Sequence, residues 1–98
     1  MSLHITPNRA VTWAKPQGKT WHLEELQASV DGWIEVLHLS GIDDPNGLVL
    51  VVNERGIELG LRENELASQL AGRRIVGNVL LTTYLLFESE EEEEEEED

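Results

Sequence analysis

The chain is 98 residues long and carries twenty Asp and Glu against seven Lys and Arg, a net charge of −13 with His neutral. That length suits one domain with a thin core, and so negative a charge argues against direct contact with nucleic acid, where cationic side chains supply most of the affinity. With no Cys, disulfide frameworks, thiol chemistry and cysteine-based zinc sites are excluded.

The chain opens with two short β-prone runs, residues 3–6 and 10–14, separated by the turn signal Pro7-Asn8; they read as a hairpin. Residues 15–19, with Pro16 and Gly18, read as a loop, and Thr20 sits where a helix N-cap would sit. Leu23, Leu26 and Val30 follow at helical spacing, with Glu24 and Glu25 in the first turn where the helix dipole favours acids, and Asp31-Gly32 ends the helix. Residues 33–39 form a strand pattern, and the segment 40–47, with Asp43-Asp44-Pro45-Asn46, reads as a turn-rich loop. Leu48 to Val52 is apolar at every position, as expected of a strand covered on both faces.

Asn53-Glu54-Arg55-Gly56 reads as a tight turn in which Gly56 supplies a positive φ. The alternation of Ile57, Leu59 and Leu61 suggests a short strand pairing back. Asn64 is placed to cap a second helix that buries Leu66, Ala67, Leu70 and Ala71, with Gly72 ending it. Ile75 to about Leu86 is the longest strand pattern. The order ββ-α-β-β-α-β predicts an α+β fold. Its sheet is mixed or mostly antiparallel, and two helices pack on it as a two-layer sandwich.

The acidity belongs to an appendage. Glu88, Glu90, Glu91, Glu92, Glu93, Glu94, Glu95, Glu96, Glu97 and Asp98 are interrupted only by Ser89, while residues 1–87 set the other ten acids against all seven bases and are only −3. Ten like charges repel one another and cannot pack, so one folded domain over residues 1–87 and a disordered polyacidic tail over 88–98 are expected. The longest strongly apolar stretch, Val79 to Phe87, is nine residues with two Thr inside it, far short of a membrane span. The amino-terminal stretch lacks the basic region and apolar run of a secretory signal, so a cytoplasmic protein without membrane contact is expected.

Four segments resemble a known family. Gly32-Trp33-Ile34-Glu35-Val36 is similar to its Gly-x-Ile-Glu segment, and Asn53-Glu54-Arg55-Gly56 to its Asn-Glu-x-Gly turn. Gly60-Leu61, Asn64 and Ala67 match its Gly-Leu-x-x-Asn-x-x-Ala segment, and Ile75-Val76-Gly77 its closing Ile-x-Gly strand. The family is a group of small uncharacterised domains of unknown function, found mainly in bacteriophages, plasmids and bacterial mobile elements. The resemblance spans about residues 30–81 and leaves out the tail and the Trp-rich front half. It implies a phage or mobile-element accessory protein and carries over no activity or cofactor.

Candidate binding residues come from the body. Glu35 shares a strand face with Trp33, Leu37 and Leu39, and a carboxylate on an apolar face is either a perturbed acid or simply exposed. Asn53, Glu54 and Asn64 would converge on a small polar ligand, unless Asn53 shapes a turn and Asn64 caps a helix. Arg73-Arg74 complement the second helix's dipole, with a phosphate site as the alternative. Trp13, Trp21 and Trp33 are core if buried and partner anchors if exposed. His4, His22 and His38 lack metal-ligand spacing, and no nucleophile elbow surrounds any Ser; no catalytic residue, metal or cofactor is assigned.

The expected function is therefore a small non-enzymatic protein that binds and modulates a host protein in the bacterial cytoplasm, for host takeover or anti-defence. Two alternatives stand beside it. One is a sponge for a small signal nucleotide, and the other a nucleic-acid mimic acting through the acidic tail. A homodimer would bring a second copy onto Leu85-Leu86-Phe87, an apolar strand end near the surface.

Overall fold

The computed structural model describes residues 2–41, 43–44 and 47–87. The expected disordered tail, residues 88–98, lies outside them, as do Ile42, Pro45 and Asn46 of the turn-rich loop. Five strands and two helices run in the order β1 (Ser2–Ile5), β2 (Val11–Ala14), α1 (Leu23–Val30), β3 (Ile34–His38), β4 (Leu48–Asn53), α2 (Glu65–Ala71) and β5 (Val79–Thr83). A short 3-10 turn, Tyr84–Leu86, follows. The strands form one antiparallel sheet in the order β2-β1-β5-β4-β3. The fold class is α+β.

The alternation of side chains along β4 defines the two faces. Leu50 and Val52 pack with Ile5, Val79, Ile75 and Ala67 of α2. Val51 packs on the other side with Leu80, Trp21, and Leu26 and Val30 of α1. The helices therefore cover opposite faces, and the arrangement has three layers where two were expected. The cause is visible in β4 itself: Val49 to Asn53 are all buried, and only cover on both sides can bury consecutive strand residues.

Polar groups inside this core are paired. Trp21 Nε1–H donates to Thr82 Oγ1 at 3.1 Å, and Thr82 shares a 2.6 Å hydrogen bond with Ser2. Among the described residues no buried side-chain nitrogen or oxygen lacks a partner, as folded proteins generally require.

Five local expectations change. Helix α1 is capped at His22 and not at Thr20, because Trp21 is held in extended backbone by its N–H bond to Leu86 O at 2.6 Å and its bridge to Phe87. Gly56 does not have a positive φ; a Cβ there would lie 2.7 Å from Val76 Cγ2, so close approach is what the position requires. Residues 54–60 form consecutive turns, so no strand covers Ile57, Leu59 and Leu61; Leu59 N–H is bonded to Arg55 O at 2.9 Å and Leu61 N–H to Gly56 O at 3.0 Å. No strand can form there beside β4, since β3 and β5 already occupy both of its edges. Strand β5 is shorter than its apolar pattern, because Gly77 takes φ +80° and the chain turns after Thr83. Within α2, Leu70 is exposed while Leu66, Ala67 and Ala71 face the core.

Candidate functional site

The sheet ends at β3 on one side, and there the face that carries α2 opens into a cleft of about 120 Å³. Three chain segments build it. Strand β3 supplies Glu35, the end of β4 and its turn supply Asn53, Glu54 and Ile57, and the segment after α2 supplies Arg73 and Arg74. Glu54 is set by its backbone: its N–H donates to Trp33 O at 2.9 Å, extending the β3–β4 pairing by one step. Residues 33 and 54 therefore oppose each other, and alternation puts both on the face of Glu35. Gly72, at φ +70°, closes α2 and throws Arg73 and Arg74 back toward the sheet.

The two arginines reach the cleft differently. Arg74 Nε lies 3.5 Å from Glu63 Oε1. Among the described residues Arg73, Glu35 and Glu54 have no ion-pair partner. The cleft thus presents exposed charges of both signs that the fold does not neutralise. Ile57, which lines it, is 64 % exposed, and Trp33, opposite Glu54 on the same sheet face, is 63 % exposed. The arrangement can receive a side chain or end group bearing a charge, flanked by apolar contact. At this size it does not enclose a drug-sized ligand, for which pockets run to about 300 Å³ or more.

The two asparagines are used elsewhere. Asn53 is buried; its Nδ2 donates to Val30 O at 3.1 Å and its Oδ1 accepts from Arg55 N–H at 2.8 Å, tying the end of α1 to the turn after β4. Asn64 is fully buried; its Nδ2 donates to Ile5 O at 3.1 Å and Gly77 O at 2.9 Å, while its Oδ1 accepts from Ala67 N–H at 3.1 Å. The expected convergence of Asn53, Glu54 and Asn64 reduces to Glu54, with Asn53 contributing only wall. The sequence had pointed to Glu35, Glu54 and Trp33. It reads Arg73 and Arg74 as helix-end charges, with a phosphate site as the alternative, and nothing in their spacing signals that the return from α2 brings them into a cleft with Glu35.

Of the three tryptophans, Trp21 is core at 5 % exposure and the other two are exposed. Among the described residues no group of three or more His, Asp or Glu is placed to hold a metal ion, and no helix is long and apolar enough to cross a membrane.

No curated protein and no solved structure matches the chain. A family model does, over residues 2–95. That match reaches well beyond the four motifs between residues 30 and 81: it takes in the Trp-rich front half and most of the acidic tail, both of which those motifs leave out. The chain belongs to the family described as Domain of unknown function (DUF3846).

Proposed function

We propose that this chain is a small non-enzymatic binding protein that occupies and modulates a host protein. Its setting would be a bacterial cytoplasm to which a phage, plasmid or other mobile element has brought it. The observation that carries the reading is the exposed Trp33, opposite Glu54 on the sheet face of a cleft whose Glu35, Glu54 and Arg73 have no ion-pair partner among the described residues. A solvent-facing Trp is a common anchor of protein interfaces, and flanking charges of both signs select a partner by complementarity more than they add affinity. The four family-like motifs support the mobile-element origin. The cleft's volume favours a protein partner over a signal nucleotide, and its mixed charge gives a polyphosphate little net attraction.

The test is affinity capture from host lysate with the full chain, run beside Trp33→Ala and Arg73→Glu. One stoichiometric protein retained by the parent chain and lost by both variants is the expected result. Equal retention by all three, or no enrichment at low salt, would refute the assignment of this surface.

A further inference from the structure

The opposite edge of the sheet is open in a different way. Strand β2 pairs only with β1, and Val11, Thr12 and Trp13 are exposed, Trp13 at 72 %. Thr6 N–H donates to Ala10 O at 3.0 Å, which makes that pair the hydrogen-bonded one. Pairs alternate along an antiparallel ladder, so Thr12 and Ala14 turn their backbone groups toward β1. Val11 and Trp13, opposite Ile5 and Leu3, turn theirs outward. Two N–H and two C=O groups are thus presented in strand geometry. The side chains of the same two residues lie on the α2 face, where Trp13 continues the row Leu3, Leu81, Leu50 and Leu37 across all five strands.

Proteins usually blunt such an edge with charge, proline or a bulge. Strand β3, the other edge, carries Glu35; β2 carries no charge at all. The charge that flanks it along the chain has one sign, although in space the Glu25 carboxylate accepts from Gln17 N–H at 2.9 Å, between Lys15 and Lys19. Residues 1–23 contain Arg9, Lys15 and Lys19 and no acid, while all twenty acids fall from Glu24 onward. Arg9 pairs with Glu65, and Lys15 and Lys19 have no ion-pair partner among the described residues.

We infer that the β2 edge is a docking strand for an extended acidic segment of a partner protein. That segment adds a sixth strand through the backbone of Val11 and Trp13. It sets apolar side chains at alternate positions beside Trp13 and its flanking acids near Lys15 and Lys19. A second copy is the wrong occupant, because pairing two β2 edges brings two sets of basic flanks together. The chain's own residues 88–98 supply acid but no apolar side chain to lie beside Trp13. This surface sits about 19 Å, four strand spacings, from the β3 edge. It stands independently of the function proposed for the cleft there.

The test uses the isotope-labelled full chain and a blocked synthetic peptide, Glu-Glu-Val-Thr-Val-Thr-Val-Glu-Glu, followed by amide NMR and hydrogen exchange. The amides of Val11 and Trp13 should shift and become protected. Affinity should fall with salt, and by about tenfold or more when Lys replaces the peptide's Glu. Val11→Pro, which removes an outward donor and leaves the β1 ladder intact, should abolish binding. Lys15→Glu with Lys19→Glu, which leaves the backbone untouched, should reverse the charge preference. Four results would each overturn the inference. They are unmoved β2 amides, equal binding of both peptides, protection of β2 by self-association, and protection in the free monomer that salt releases, the mark of the chain's own acids.

Discussion

Replacing Asn64 tests whether this side chain is a structural keystone or an idle member of a binding site. In Asn64→Ala the cap on Ala67 N–H is lost, which typically costs about 1 kcal/mol. The carbonyls of Ile5 and Gly77, which both accept from Asn64 Nδ2 in a fully buried setting, are left without that donor at about 1–3 kcal/mol each. The expected loss is roughly 3–7 kcal/mol, a large part of the ~5–15 kcal/mol that holds a domain together. With a urea dependence of about 1 kcal/mol per molar for a chain this small, the unfolding midpoint should drop by at least about 3 M or the protein should not fold. Asn64→Asp separates the two roles. It keeps the capping oxygen and adds charge that the dipole of α2 favours, yet it turns acceptors against two carbonyls. If capping were the whole role, the Asp variant would match or exceed the parent. The structure requires it to be at least as destabilised as the Ala variant. A loss below about 1 kcal/mol in both, read by urea denaturation, would refute the account of three buried bonds.

Gly56→Ala should destabilise by about 1–3 kcal/mol, since its Cβ would meet the buried, β-branched Val76 at 2.7 Å; Gly18→Ala, with nothing within 4 Å, should be neutral or slightly stabilising in the same melt. The Glu25 carboxylate accepts from His22 N–H at 2.8 Å and Gln17 N–H at 2.9 Å, and these backbone bonds hold its pKa below the ordinary 4.5. Its folded-state pKa is depressed, so its stabilisation is present above that ordinary value and is lost as pH falls through the folded one. Glu25→Gln should therefore flatten the acid limb of a stability–pH curve below about pH 4.5 and change little of its shape at neutral pH. Trp33→Ala should move stability by no more than about 0.5 kcal/mol, as expected of an exposed side chain, and a larger shift in thermal unfolding would return Trp33 to the core.

Much of the fold was legible because local signals agreed with the tertiary ones. Asn64 and Gly72 bracket α2 as cap residues should, and the hairpin around Pro7-Asn8 forms where the turn chemistry predicted. The unbroken apolar run of β4 held more information than the two-layer expectation used. A strand buried at successive positions already demands a cover on each side, so two helices had to part company. The alternation of Ile57, Leu59 and Leu61 misled because period-two patterning reports a preference and not a vacancy; β4 had no free edge left. In the cleft, Glu35 was legible from its place on an apolar strand face and Glu54 from its turn, though as members of two separate candidate sites and not of one. Arg73 and Arg74 were not, since their arrival depends on how far α2 travels over the sheet, which no spacing encodes.

The strand order has a consequence for synthesis. The β1–β2 and β3–β4 hairpins can each form locally, but they share no pairing until β5 slides between them, joining Leu3 to Leu81 and Leu50 to Leu81. While the polypeptide is being made, both hairpins must wait with their inner edges unzipped, and the sheet closes only when β5 emerges. Such distant pairing slows folding. It also makes the molecule a natural candidate for splitting: a piece ending before Val79 should stay open, and a synthetic β5 peptide added in trans should complete it.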